Sequence, residues 1–204
     1  MLDDKLYFLT ATEAISKIKS TEITVTQYIE SIISRINQIN PQTLVWSHLN
    51  FEQTLEQAKK LDTVIHLDRK IGPLFGMPIG IKDIFNTMDF PTEMGSEIWK
   101  EFTPGNDARV VYYLKVADAL IMGKTETAEF AVHELGKSKN PYDPKRSPGT
   151  SSSGSAIAVA THMVPLSIGT QTAGSIIRPA SYCGVFGFKP SFGLLPRTGM
   201  LKTT

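Results

Sequence analysis

From residue 75 onward, short apolar runs of strand length at 77–85, 120–122, 164–168 and 184–188 alternate with helix-forming segments. That alternation constrains the fold more than any other feature of the chain. A strand followed by a helix usually crosses over and rejoins its predecessor in parallel, and such a sheet needs helices on both faces. The expected class is α/β, with a mixed, largely parallel sheet covered by helices on both faces. Asp107 is placed to cap a helix running to about residue 119. The small apolar residues at 154–162 suit a tightly packed helix. The first 70 residues read as helical. Ile29, Ile32, Ile33 and Ile36 form a stripe at helix spacing, with Thr24 or Thr26 as cap and Pro41 as stop. Residues 44–46 read as a short strand. Leu55, Ala58, Leu61 and Ile65 mark a second amphipathic helix, broken by Gly72 and Pro73. The expectation is one domain, with residues 1–70 packed on a core of 71–204.

Composition excludes several function classes. The 204 residues are 41% apolar and 20% charged, an ordinary balance for a chain able to bury a sizeable core. A net charge of +1 advertises neither a nucleic-acid nor a membrane surface. Cys183 is the only cysteine, so neither an intrachain disulfide nor a multi-cysteine zinc site can form. His48, His66, His133 and His162 contain no His-x-x-x-His pair, which argues against a metal enzyme. No stretch reaches the ~18 apolar residues of a membrane span. Residues 1–8 carry acid early and do not read as a secretory signal, so a reducing cytoplasm is the expected compartment.

Three segments carry chemistry. The first is Gly76-Met-Pro-Ile-Gly-Ile-Lys-Asp83, which sets Lys82 in an apolar strand. Burial lowers a lysine's pKa toward that of a useful base, although a lysine on an edge strand that discourages aggregation reads the same way. Asp83 points to the opposite face and is not automatically its partner. The second is Ser147-Pro-Gly-Thr-Ser-Ser-Ser-Gly-Ser155, where adjacent hydroxyls at a helix start can relay protons or simply cap the helix. The third is Gly169-Thr-Gln-Thr-Ala-Gly-Ser175, a turn of small residues able to converge backbone N–H groups on an anion. Its serine can equally satisfy its own backbone. Together they supply a hydroxyl nucleophile, a relay, a neutralisable amine and oxyanion donors.

Other motifs do not hold. Gly123-Lys-Thr125 ends like a phosphate loop, but Asp118 stands where the first glycine belongs. Ser16-Lys-Ile-Lys19 lies on an ordinary amphipathic helix, without its companion motifs. His133 and His162 read as packing or surface residues, and Cys183 as a small buried hydrophobe.

In order and spacing, the three segments resemble the amidase signature family. Gly76–Asp83 looks like its Gly-x-Pro-x-x-x-Lys-Asp strand, residues 149–155 its Gly-Gly-Ser-Ser-Gly loop, and residues 169–175 its Gly-Thr-Asp-x-Gly-Gly-Ser segment. Pro179-Ala180, Cys183-Gly184 and Gly187-Phe-Lys-Pro190 follow the same run. The resemblance implies a triad of Ser175 as acyl-accepting nucleophile, Ser151 as bridge through a cis peptide, and Lys82 as neutral base. It implies an oxyanion hole of the backbone N–H groups of Thr172, Ala173, Gly174 and Ser175, and no metal or organic cofactor. The implied reaction is hydrolysis of a small-molecule amide C–N bond. The alternative is the glutaminase component of an amidotransferase that serves a misacylated transfer RNA with partner subunits; a homodimer is a further possibility. A third reading is an inactive piece.

The chain departs from the pattern in places. Thr150 and Ser153 replace glycines, Gln171 an Asp and Ala173 a Gly; Arg178 lies one place late. Gln171 and Ala173 count against the glutaminase reading. Family members run to more than twice this length, so the expectation is a chain cut after Leu201-Lys-Thr-Thr204, truncated at the C-terminal side of the sheet and lacking much of the acyl pocket.

Overall fold

The computed structural model describes residues 5–67, 70–132 and 134–202. His133 and the two chain ends considered above therefore lie outside the described residues. Two N-terminal helices, α1 (Ala11–Lys19) and α2 (Val25–Thr43), each open on a reciprocal cap. Thr10 pairs with Glu13 and Thr24 with Gln27, each threonine accepting from the third amide and each partner side chain accepting in return. The stripe on α2 is buried at Ile29, Ile32 and Ile36. Each such side chain contributes roughly 1.5–3 kcal/mol by leaving water.

Pro41 does not end α2. It lies inside the helix, two residues before its last residue. The lost donor falls where the helix is closing anyway. Leu44 N–H donates to Asn40 O at 2.8 Å and the Thr43 hydroxyl to Ile39 O at 3.0 Å, which secure the final turn. Leu44 then takes a left-handed conformation, so the strand expected at 44–46 starts later, as β1 (Trp46–Leu49). Asn50 caps α3 (Phe51–Val64), which ends well before Gly72.

The remaining elements are β2 (Pro78–Lys82), α4 (Arg109–Val116), β3 (Leu120–Thr125), α5 (Ser153–Ala160), β4 (Leu166–Ile168) and α6 (Ile177–Tyr182). The sheet order is β1-β3-β2-β4, with β2 parallel to both neighbours and β1 antiparallel to β3. The expected mixed, mainly parallel sheet is present. Leu120 and Met122 face a core shared with α1, α2, α3 and α5. Ile79, Ile81 and Ile121 face a second core with Val111 of α4, Phe85 and Phe90.

The pairing of β2 with β3 slips by one residue. Ile79 sits opposite Ile121, but Gly80 sits opposite Gly123. Beyond the slip the alternation of β3 is reversed, as in a bulge. Lys124 therefore faces the second core, and Thr125 faces α5, where its hydroxyl lies 2.7 Å from that of Ser155.

Two further expectations fail. Asp107 does not cap α4: Ala108 occupies the cap position without a side-chain bond. The Asp107 carboxylate instead accepts from Met88 N–H at 2.8 Å and meets Lys115 at 2.8 Å. Residues 184–188 form no strand. Val185 N–H donates to Ala180 O at 3.0 Å, closing α6, and Gly184 adopts φ +68°. A strand needs a neighbour to accept its ladder, and none lies alongside among the described residues. Phe186 and Phe188 stand 108% and 80% exposed.

Candidate active site

β2 is an inner strand, so Lys82 is not an edge lysine. It projects toward α5 with a side chain that is 0% exposed. Its Nζ lies 2.6 Å from Ser151 Oγ, 3.0 Å from Ser152 Oγ and 2.9 Å from Thr170 Oγ1. No carboxylate bonds to it directly. Burial lowers its pKa to about 7, against an opposing pull from the Glu126 carboxylate. Glu126 is held by Lys137 N–H and by the Ser138 and Ser153 hydroxyls.

Asp83 faces the other way. Its carboxylate meets the Lys124 ammonium at 2.9 Å, with both side chains almost fully buried. Burial pushes the Asp83 carboxyl up and the Lys124 ammonium down, and each charge opposes the other's shift. Lys124 also donates to Pro91 O and Thr92 Oγ1. His48, Asp83 and Glu93 bring one ligand-type atom each within 4.8 Å of one another. Lys124 already supplies a positive charge there, so the grouping reads as an ion-paired anchor under the sheet.

The serine loop leading into α5 is shaped by backbone. Gly149 adopts φ +79°, and a Cβ there would come within 2.7 Å of Pro179 Cα. The Thr150–Ser151 peptide is cis, as the resemblance implied. Thr127 Oγ1 and Ala128 N–H both donate to Ser151 O, fixing the main chain at Ser151. Ser152 occupies the N-cap position but makes no capping bond. Its hydroxyl donates to Thr170 O at 3.1 Å, accepts from Thr170 N–H at 3.2 Å, and lies beside Lys82. The simple capping reading of this loop therefore fails.

The second loop is laced to the first. Ser152 N–H donates to Ser175 O at 3.3 Å, and the Arg178 guanidinium donates to Thr150 O and to Thr150 Oγ1. Ser151 and Ser175 line one cavity of about 240 Å³ with Thr170, Gln171 and Thr172. Among the described residues the Ser175 hydroxyl makes no direct hydrogen bond, so Ser175 and Ser151 share a cavity without being bonded to each other. The N–H groups of Ala173, Gly174 and Ser175 also have no acceptor among the described residues. Gln171 Oε1 accepts from Ile176 N–H at 2.9 Å and Ile177 N–H at 3.0 Å. The carboxamide thus satisfies the turn after Ser175 without a negative charge beside those donors. An apolar groove of about 350 Å³, lined by Phe85, Ile168, Ile176 and Val185, adjoins this cavity.

Sequence reasoning did not single out Thr170, Glu126 or Thr127. Thr170 follows a glycine in a motif already in hand, so its place in that segment was the available signal. Glu126 and Thr127 follow the buried strand β3 directly. His162 packs edge-on against Phe8. Cys183 is buried, and burial pushes its thiol up to about 12.

A family model described as Amidase matches residues 27–204. The chain belongs to the amidase family. This amidase-family chain is 41% identical over 199 residues to a glutamyl-tRNA(Gln) amidotransferase subunit from Streptomyces coelicolor, covering 95% of the chain and 40% of that relative. It superposes on a peptide amidase from Stenotrophomonas maltophilia with TM-score 0.92 at 32% identity, covering 98% of this chain and 44% of that one. A fatty acid amide hydrolase gives TM-score 0.92 at 25% identity, covering 98% and 37%. The amidase-family chain thus spans about 40% of the length of the curated relatives it matches. Among the described residues no helix is long and apolar enough to cross a membrane.

Proposed function

We propose that the protein is an amidase that cleaves a small-molecule amide C–N bond in the cytoplasm through an acyl-serine at Ser175. The observation that carries this reading is the buried Lys82 amine held 2.6 Å from Ser151 Oγ, with no carboxylate bonded to it. A neutral lysine in that place is a base; a charged one is not. Ser175 Oγ attacks the carbonyl carbon as its proton passes to Ser151 and the Ser151 proton passes to Lys82 Nζ. Substrate binding brings the two serine hydroxyls, which share the cavity wall, into line. The developing oxyanion sits against the N–H groups of Thr172, Ala173, Gly174 and Ser175. As the C–N bond breaks, the proton returns through Ser151 to the departing amine. Water or another amine then attacks the acyl-serine over the same relay. No cofactor is required by these steps.

The test is covalent labelling with a fluorophosphonate. The label is expected on Ser175 by mass mapping, and its rate should rise with pH through about 7 as Lys82 loses its proton. The sign for stability follows from the same shift. Between about pH 7 and the ordinary lysine range the unfolded chain binds one proton more than the folded one, so stability rises with pH through that window and is lowest, and flat, below about 7 as far as this group is concerned. A label on another residue, or a rate flat across about pH 5–9, would sink the reading.

A second reading is favoured by the relatives named as amidotransferase subunits. In it Ser175 releases ammonia from glutamine for a transamidating complex. The discriminating result is glutaminase turnover that appears only when partner subunits are added.

A further inference from the structure

The cavity shared by Ser151 and Ser175 is electrically one-sided. Its charged lining residues are Lys189, Arg197 and Lys202, and no carboxylate among the described residues lines it. The whole chain carries a net charge of only +1, so this is local placement and not bulk excess. Among the described residues none of the three cations has an ion-pair partner. Lys189 donates to Pro190 O, a neutral acceptor. The Arg197 guanidinium stacks on Phe192, 4.6 Å from the ring centroid. Stacking holds the face of a guanidinium and leaves its N–H edge for a planar, doubly accepting anion. The rest of the wall includes Ile84 and Met200, which suit an apolar stem.

We propose that this cavity selects amides that carry a carboxylate, with Arg197 as the principal contact and Lys202 and Lys189 adding to the field. The proposal rests on Ser175 being the acyl acceptor. Arg197 matches a carboxylate edge-on with two parallel N–H donors, which a lysine cannot do. The contact lies at the solvent-facing side of the cavity, so it is screened by salt. It acts on substrate choice and not on the relay around Lys82, whose bonded partners are Ser151, Ser152 and Thr170.

The experiment compares two fluorophosphonates of equal length, one ending in a carboxylate and one in a primary carboxamide. The rate of Ser175 modification by each is measured on the 204-residue chain. The readout is the ratio of the two rates within one protein sample, which cancels losses from partial unfolding. The expected ratio is about tenfold in favour of the carboxylate at low salt, the size of one hydrogen bond to a charged group. It should fall toward one in Arg197→Met and shrink in high salt; in Lys202→Met it should fall only in part. Equal labelling by both probes at Ser175 would overturn the selectivity and leave the nucleophile assignment standing. So would a preference that survives in both variants. Failure of both probes to modify Ser175 would instead remove the nucleophile assignment, and the proposal with it.

Discussion

Lys82→Met is expected to lower turnover by on the order of 10³-fold or more, with a change in melting temperature that turns in the variant's favour as pH falls from about 10 to about 7. Methionine keeps most of the stem and removes the amine. Above about pH 7 the lost amine is neutral, and the change removes three hydroxyl contacts, to Ser151, Ser152 and Thr170. Ser152 keeps its bonds to Thr170, but the Ser151 and Thr170 hydroxyls lose the one partner they have among the described residues, at a cost of about 1–3 kcal/mol for each that stays buried and unpaired. Below the ordinary lysine range the wild-type chain must give up a proton to fold, and below about pH 7 it must hold a buried charge instead, so its penalty grows down to about 7 and is constant beneath it. Methionine has no such penalty, so the stability change moves in the variant's favour as pH falls through that window, against the constant cost of the two unpaired hydroxyls. A lysine serving only as structure would produce the reverse, a variant that melts early at every pH and retains turnover. Parallel melting curves and amide turnover at the two pH values decide between them, and a loss below about tenfold would exclude Lys82 as the base.

Ser175→Ala is expected to cost on the order of 10⁴-fold in turnover, with folding intact. The hydroxyl removed makes no hydrogen bond among the described residues, and the backbone bond from Ser152 N–H to Ser175 O survives the change. The N–H groups of Ala173 and Gly174 also remain, so the variant should still bind an amide. Substrate affinity held with turnover lost is the signature of a missing nucleophile and not of a damaged site. The measurement is turnover alongside calorimetric binding of an uncleaved amide. An alanine variant that hydrolyses amides at a comparable rate would exclude the acyl-serine.

Much of this site was legible because its chemistry is concentrated in short segments. A lysine inside an apolar strand and two loops of small hydroxylic residues point to Lys82, Ser175 and the serine run at 151–153 before any fold is known, and the family resemblance singles out Ser151 within that run. The sheet was legible for a similar reason, since the strands around 79, 121 and 167 are short, apolar and separated by helices. What was not legible depends on partners remote in sequence. Residues 184–188 have the apolar and aromatic character of a strand, but character alone supplies no neighbouring ladder. Asp107 sits where a cap is expected, yet Lys115 and the Met88 amide claim its carboxylate. Pro41 reads as a stop, but the loss of one helical donor matters little where the carbonyls of Ile39 and Asn40 find other donors. Gln171 looked like a defect in the motif. Its carbonyl oxygen accepts from two amides, a role that only coordinates reveal.

The one-residue slip between β2 and β3 governs which of two amines meets the hydroxyl cluster. Were the strands paired without that slip and every residue kept, Lys124 would fall opposite Lys82 and not Ile81, and its ammonium would swing to the side occupied by Lys82, abandoning Asp83 and crowding a second cation against the first. A single residue inserted between Gly123 and Lys124 would therefore do more harm than several inserted in the connecting segments, because it would swap the chemical identity of two compartments and not merely lengthen a chain.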